Sequence, residues 1–255
     1  MLLAIDIGNT HTVIGLIEGT ELRARWRLTS DAQRTADEFG ILVRQLCAQS
    51  GVEISAISGV AVSSVVPAMT TAFAAMAEEL TGAEPLIVGP NLDLGIVLDH
   101  KDPSEVGADR IANAVAAREM FDGPVIVVDF GTATTFDVVT ADGHYAGGAI
   151  APGVRTSAET LFGKAALLHR VSLDPPPSVI GRSTDESLRS GIIFGAAGQV
   201  DEIVRRISEE MGAAPTIVAT GGLAEKMALS AKSVNVVEPD LTLYGLAILY
   251  RRNRQ

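Results

Sequence analysis

The stretch Pro124–Val139 reads PVIVVDFGTATTFDVV, and it decides the fold because the chain opens with a second version of it. The other version is Met1–Gly15, which reads MLLAIDIGNTHTVIG. In both, an apolar run is followed by Asp, one apolar residue and Gly. Hydroxyl-bearing residues come next, and then a second β-prone run begins. This pattern predicts a hairpin, in which a tight turn joins two strands.

Each predicted turn has the residue types that bind phosphate. A glycine lets backbone N–H groups approach an anion, a threonine adds a hydroxyl donor, and an aspartate can hold a cation or its water shell. These residues are Asp6, Gly8 and Thr10 in the first copy and Asp129, Gly131 and Thr132 in the second. Either copy alone could equally be an ordinary turn, but two copies favour anion binding.

The two copies indicate a duplicated fold, since Asp6 and Asp129 lie 123 positions apart. In this respect the chain resembles the superfamily of acetate and sugar kinases, heat-shock ATPases and actin. The resemblance implies an α/β fold of duplicated ribonuclease H-like domains, with mixed sheets flanked by helices and a nucleotide held between the halves. We expect one domain at residues 1–110 and another at 111–255, each with one phosphate loop.

Composition restricts the class of protein. With 47% hydrophobic and 20% charged residues among 255, the chain has enough apolar material for buried sheets. A formal charge of −11 argues against a nucleic-acid partner. No apolar run reaches the roughly 18 residues of a membrane span, and no basic leader is evident, which predicts a cytoplasmic location. Cys47 lies in an apolar helical pattern, which favours a core residue over a nucleophile.

The remaining sequence predicts strands alternating with helices. Strands are predicted at residues 21–29, 56–63, 84–89 and 215–220, and residues 91–103 as a loop or short strand. Helices are predicted at residues 35–50, from Pro67, at 104–120, from Val154, at 184–211 and at 242–253. Thr35 and Glu38 form a capping-box pair. Trp26 falls on the polar parity of the 21–29 strand, so we expect its side chain to be partly exposed.

The helix predicted at 104–120 has an unusual face. Asp109, Ala112, Asn113 and Ala116 recur at three- and four-residue spacing, which surrounds a carboxylate and an amide with small residues. Such a face lets another group approach closely. From the pattern alone, Asp109 and Arg110 could also be a solvated pair on the helix surface.

Four motifs occur in the order and spacing of the type III pantothenate kinases, which the chain resembles over nearly its whole length. They are DIGNT at 6–10, EVGADR at 105–110, DFGTATT at 129–135 and GGAIAPG at 147–153. EVGADR is the specific one, because the phosphate turns belong to the superfamily. The resemblance implies ATP-dependent phosphorylation of pantothenate to 4'-phosphopantothenate, the first step of coenzyme A biosynthesis. It also implies a homodimer that needs Mg²⁺ with ATP and a monovalent cation, K⁺ or NH₄⁺.

The resemblance implies a role for individual residues. The ATP-binding residues would be Asp6, Ile7, Gly8, Asn9, Thr10, His11, Thr12, Val13 and Thr132, with Asp6 near Mg²⁺ through water. The substrate-binding residues would be Gly107, Ala108, Asp109, Arg110 and Thr184. Asp109 would be the catalytic base, Arg110 the partner of the substrate carboxylate, and Asp129 the monovalent-cation ligand. The turn Thr220-Gly221-Gly222 would lie under the adenosine.

One position departs from the family. Nine residues before the base, where the family commonly has a tyrosine that touches pantothenate, this chain has His100. We expect His100 to replace it as a substrate contact. The other histidines, His11, His144 and His169, show no metal-ligand spacing.

Other functions remain open at this stage. One is a kinase of another small hydroxylated metabolite. A second is a non-catalytic regulatory protein that binds nucleotide through the same turns, although an intact Asp109 weighs against it. A third is a filament-forming or chaperone-like ATPase, which normally needs a longer chain.

Overall fold

The computed structural model describes residues 1–165 and 167–254, which divide into two compact units. The first unit contains residues 1–116 together with the C-terminal segment that starts at Leu241, and the second contains residues 117–240. The division differs from the domain limits expected from the sequence at two places. The boundary between the units follows residue 116 instead of residue 110, and the last helix belongs to the first unit.

The first unit is built on one mixed sheet. Its elements are β1 (Leu2–Ile7), β2 (His11–Glu18), β3 (Glu21–Thr29), α1 (Ala36–Gln49), β4 (Gly59–Ser64), α2 (Pro67–Thr81), β5 (Leu86–Ile87), β6 (Val97–Leu98) and most of α3 (Ala108–Met120). The strand order is β3-β2-β1-β4-β5. Strands β1, β2 and β3 are antiparallel, whereas β4 and β5 run parallel to β1.

The second unit repeats this arrangement. Its elements are β7 (Val125–Phe130), β8 (Ala133–Val139), β9 (His144–Pro152), α4 (Val154–Lys164), α5 (Thr184–Met211), β10 (Thr216–Thr220), α6 (Ala224–Ala228) and β11 (Val236–Val237). The strands lie side by side as β9-β8-β7-β10-β11, with the same directions as β3-β2-β1-β4-β5. Asp6 and Asp129 are each the second-to-last residue of the first strand. The predicted duplicated α/β fold is confirmed.

Helices cover both faces of the first sheet. On one face α1 and α2 pack over the apolar residues of β1, β2 and β4, and their Phe39 and Phe73 rings stack with centroids 4.1 Å apart. Cys47 is completely buried in this core, and burial raises the pKa of its thiol, so it is a poor nucleophile.

The final helix, α7 (Leu241–Asn253), covers the other face of that sheet. A Cβ on Gly59 would clash with the Tyr250 ring, and one on Gly15 would come within 2.8 Å of Leu243. A Cβ on Gly245 would clash with the carbonyl of Ala112 in α3. The small-residue face of α3 therefore makes room for α7. Asn113 on that face is buried, and its Oδ1 accepts a hydrogen bond of 2.8 Å from Thr242 Oγ1.

Most element predictions are confirmed, and two need correction. Thr35 and Glu38 form both bonds of the capping box, and Pro67 is the first residue of α2. The helix predicted from residue 104 begins at Ala108, because Pro103–Glu105 form a 3₁₀ turn. Trp26 is half-buried, as expected, but it lies on the apolar side of β3: it alternates in phase with Leu22, Ala24 and Leu28, and it packs against the core. No helix within residues 1–165 or 167–254 is long and apolar enough to cross a membrane.

Candidate active site

The first predicted phosphate turn joins β1 to β2. The Gly8 N–H donates to the His11 carbonyl at 3.1 Å, so Asn9 and Thr10 form an exposed tip. Asp6 precedes the turn and is half-buried, with Val13 and Ser63 as its neighbours across the sheet. Ile7 faces the hydrophobic core, so only its backbone could contact a ligand.

Ser30, just after β3, stabilises this turn, a role that no sequence pattern predicted. Its N–H donates to the Thr10 carbonyl at 3.1 Å, and its Oγ donates to the Gly8 carbonyl at 2.6 Å. Thr12 Oγ1 lies 3.0 Å from Ser30 Oγ. Because the single hydroxyl proton of Ser30 is given to Gly8, Thr12 must be the donor in that pair. Thr12 is completely buried, so its side chain supports the turn from beneath.

The residues of the EVGADR motif lead into α3. Asp109 lies in the first turn of α3, and its Oδ1 accepts the Arg110 backbone N–H at 2.8 Å. Burial raises the pKa of Asp109, while the Arg110 N–H and the guanidinium charge of Arg110 act in the opposite direction. A general base benefits from such a shift, because a carboxylate of higher pKa holds a proton better.

Gly107 leaves room for the Asp109 carboxylate. A Cβ on Gly107 would lie 2.5 Å from Asp109 Oδ1 and 3.7 Å from a methyl group of Val65. The first contact is tighter than van der Waals packing allows, and the atom that would have to move is the carboxylate itself. Glycine at this position therefore leaves the space that the Asp109 carboxylate occupies.

His100 is held by a local turn in the same unit. Its Nδ1 lies 2.8 Å from the Asp102 carbonyl. A carbonyl only accepts, so Nδ1 carries the proton, and the Nε2 of the neutral ring is an acceptor. The Asp102 carboxylate in turn accepts from the backbone N–H of Ser104 at 3.0 Å and from its hydroxyl at 2.6 Å. These bonds shape the segment in front of α3.

The second phosphate turn joins β7 to β8 and is tighter than the first. The Gly131 N–H donates to the Ala133 carbonyl at 3.0 Å, which leaves Thr132 alone at the exposed tip. Thr156 Oγ1 in α4 donates to the Thr132 carbonyl at 2.8 Å. A Cβ on Gly153 would clash with that same carbonyl, so this glycine lets the start of α4 lie directly against the turn.

The half-buried Asp129 carboxylate occupies the space beside Gly221. Gly221 has φ +89°, and a Cβ on it would clash with Asp129 Oδ1 and with the backbone of Phe130. A side chain is thus excluded at Gly221 by conformation and by space. The position of this turn under the adenosine stays a prediction; within the protein, Gly221 lies against the Asp129 carboxylate.

Thr184 is the first residue of α5 and is exposed. The Ser183 hydroxyl accepts from the Glu186 N–H at 3.2 Å, and the Glu186 carboxylate accepts from the Arg182 N–H at 2.7 Å. A cavity of about 580 Å³ opens beside this capped helix start, lined by residues 168, 181–184, 187 and 188. The hydroxyl of Thr184 therefore borders a space that a small ligand could enter.

Carboxylates for metal binding are sparse. Within the described residues, no three His, Cys, Asp or Glu side chains form a group that could hold a metal ion. A cation at Asp6 or Asp129 would need neutral oxygens, water and ligand phosphate to complete its coordination.

Comparison with known proteins shows the family to which the chain belongs. The profile of the family "Type III pantothenate kinase" matches residues 2–206. A type III pantothenate kinase from Moorella thermoacetica is 47% identical over 253 residues, which covers 99% of this chain and 100% of the relative. Another, from an Anaeromyxobacter species, is 50% identical over 254 residues and 100% of both chains.

The fold is shared more widely. The ROK hexokinase from Thermus thermophilus superimposes with a TM-score of 0.53 at 13% identity, over 97% of both chains. At that identity the likeness concerns the fold alone. The family match and the full-length similarity to the two relatives are more specific than this likeness of fold. They show that the chain belongs to the type III pantothenate kinase family.

Proposed function

We propose that this kinase transfers the γ-phosphoryl group of ATP to the hydroxyl of pantothenate, giving 4'-phosphopantothenate in the first step of coenzyme A biosynthesis. The proposal rests on the Asp109 carboxylate at the start of α3. It accepts a hydrogen bond from the Arg110 N–H, and burial raises its pKa. The names of the full-length relatives support the choice of substrate.

Asp109 would act as the general base. Phosphoryl transfer requires positioning, charge neutralisation and one acceptor for the proton of the attacking hydroxyl. The bond from the Arg110 N–H orients the carboxylate, and an ionised carboxylate has further lone pairs with which to accept the substrate proton. Gly107 leaves the space that the carboxylate occupies.

Three further side chains would bind pantothenate. The Arg110 guanidinium is suited to the substrate carboxylate, because its parallel N–H groups can pair with both oxygens. His100 offers its Nε2 as an acceptor for a substrate hydroxyl or amide N–H. Thr184 offers a hydroxyl beside the cavity at the start of α5. Gly107 and Ala108 would contribute backbone contacts.

The two turns would bind ATP, the first through Asp6–Val13 and the second through Thr132. Membership of a kinase family implies ATP with a divalent metal. Mg²⁺, when bound, would neutralise the negative charge of the phosphate groups. Asp6 would hold it through water, and Asp129 would hold K⁺ or NH₄⁺ at the second turn.

We also propose a homodimer. Gly191 and Gly195 are exposed on α5, and a Cβ on either would meet no other atom within 4 Å. A helix face of this kind leaves room for close packing by a second copy around a two-fold axis. The cytoplasmic location remains a prediction.

ATP consumption in the presence of pantothenate tests the proposed activity. The full chain is mixed with ATP, Mg²⁺ and K⁺, and ADP is followed with and without pantothenate. We expect ADP formation to depend on pantothenate. ATP binding without pantothenate-dependent turnover would instead indicate a regulatory nucleotide-binding protein and contradict the proposal.

A further inference from the structure

Asp137 is a completely buried carboxylate in the middle of β8 to which the proposed mechanism gives no role. Its Oδ1 accepts a hydrogen bond of 2.8 Å from the Tyr145 hydroxyl, which is also completely buried. Its Oδ2 accepts a bond of 3.0 Å from Thr135 Oγ1. Burying a carboxylate is costly unless it is hydrogen-bonded, so these bonds hold Asp137 in a defined position.

The register of the hairpin brings Asp137 close to the second phosphate turn. Thr135 in β8 pairs directly with Asp129 in β7, and Asp137 lies two residues further along β8. Side chains two residues apart lie on the same face of a strand, and directly opposite residues have Cβ atoms about 4.5–5.5 Å apart. Asp129, Thr135 and Asp137 therefore share one face of the sheet, with Thr135 in the middle.

The bond to Asp137 decides what the Thr135 hydroxyl can do. An ionised carboxylate can only accept, so Thr135 must donate its single proton to Asp137. Its oxygen then has only lone pairs for any other partner. In this state the hydroxyl is an oxygen ligand for a cation rather than a donor to a phosphate.

We propose that Thr135 is a second oxygen ligand of the monovalent-cation site at Asp129, and that Asp137 is the positioning residue that keeps the Thr135 hydroxyl in its acceptor form. The inference rests on the cation site proposed above at Asp129. Within the described residues no cluster of His, Cys, Asp or Glu could complete such a site, so neutral oxygens must supplement the single carboxylate. One carboxylate with neutral oxygens suits a large monovalent ion better than a divalent one.

The test compares variants that each remove one hydroxyl that donates a hydrogen bond to the Asp137 carboxylate. Thr135→Val removes the proposed ligand, whereas Tyr145→Phe removes the other donor to Asp137 and is the matched control. Thr135→Ser retains the oxygen. The double variant Asp137→Leu/Tyr145→Phe removes the acceptor without leaving a buried hydroxyl unpaired, and leaves Thr135 free to turn its proton outward.

Two quantities are measured on the full chain at constant ionic strength, with choline replacing K⁺. The first is the rise in Tm as K⁺ is added without substrates, because a ligand that binds only the folded state stabilises it. The second is the K⁺ concentration for half-maximal activity. For Thr135→Val and the double variant we expect both half-saturation concentrations to rise about tenfold, which corresponds to about 1.4 kcal/mol. Thr135→Ser and Tyr145→Phe should stay within about threefold of the wild type.

The outcomes separate this inference from the site on which it rests. If the wild type responds to K⁺ and Asp129→Ala abolishes the response, but Thr135→Val responds like the wild type, the role of Thr135 is refuted. Equal responses in the double variant and in Tyr145→Phe would refute the role of Asp137. A wild type whose Tm and activity are the same in K⁺ and choline would refute the cation site at Asp129, and with it this inference.

Discussion

Among single residues, Asp109 is the proposed base: its half-buried carboxylate is held by a backbone N–H. Asp109→Asn keeps the shape and the acceptor oxygen for Arg110 but cannot take the substrate proton. We expect turnover to fall by about 10²–10⁴-fold, the usual effect of losing a general base. Rapid-quench measurement of the chemical step gives the value, and ATP affinity serves as the control. A chemical step within about threefold of the wild type would exclude Asp109 as the base.

The same variant has an expected effect on stability. Burial places the pKa of Asp109 in the folded state above its value in the unfolded chain. Ionisation then costs stability: the cost is absent below the unfolded-chain pKa and complete once the pH exceeds the raised value. Asparagine does not ionise, so the Tm of Asp109→Asn should rise relative to the wild type as the pH increases from about 4 towards neutrality. A Tm difference that is constant with pH would contradict the burial effect.

Gly107→Ala tests whether the position of the carboxylate matters apart from its presence. The added Cβ would displace Asp109 Oδ1, and the fold should survive because a side-chain end can move. A displacement of about 1 Å can cost about 10²-fold in rate, so kcat should fall by roughly this factor with little change in Tm. The control is Gly40→Ala in α1, where the nearest atom lies 3.8 Å from an added Cβ. Unchanged kcat in Gly107→Ala would show that Asp109 tolerates the shift.

At the scale of elements, the first phosphate turn depends on Ser30. In Ser30→Ala the turn loses the bond to the Gly8 carbonyl, and the buried Thr12 hydroxyl loses its partner. An unsatisfied buried group costs about 1–3 kcal/mol, and we expect this loss in unfolding free energy together with a higher KM for ATP. Ser58→Ala, which removes only an exposed bond of 3.3 Å, should change neither. A wild-type KM for ATP in Ser30→Ala would show that the turn does not need this brace.

The hairpins, their turns and most helix starts could be predicted because each depends on local sequence. The alternation of apolar residues, the capping pair Thr35 and Glu38, and Pro67 all act within a few positions. Ser30 and Gly221 could not be predicted in the same way. Their roles arise from contacts with Gly8 and Asp129, which are distant in sequence, and nothing in their own neighbourhood distinguishes them from ordinary turn residues.

The small-residue face of α3 shows the limit of pattern analysis. The spacing of Asp109, Ala112, Asn113 and Ala116 correctly indicated close approach by another group. The group that contacts Ala112 and Asn113 is the helix α7, through Gly245 and Thr242. A sequence pattern can indicate that space is available, but tertiary packing determines what fills it.

At the scale of the whole molecule, we expect a homodimer formed through the exposed face of α5. Gly191→Arg should be tolerated within one chain, because a Cβ there meets nothing within 4 Å, but it should disrupt packing by a second copy. Sedimentation at assay concentrations should show a dimer for the wild type and a monomer of lower activity for the variant. Ala48→Arg, on the exposed side of α1, is the control. A fully active wild-type monomer would contradict the proposal.

Competition among acceptors tests whether this chain phosphorylates pantothenate in preference to other hydroxylated compounds. The enzyme receives limiting ATP with Mg²⁺ and K⁺ and an equimolar mixture of pantothenate with other small hydroxylated metabolites, including sugars. Mass spectrometry then identifies which compound has gained a phosphate. We predict 4'-phosphopantothenate as the main product for the wild type and almost none for Asp109→Asn. Preferential phosphorylation of another acceptor, or ADP formation with no phosphorylated product, would contradict the account.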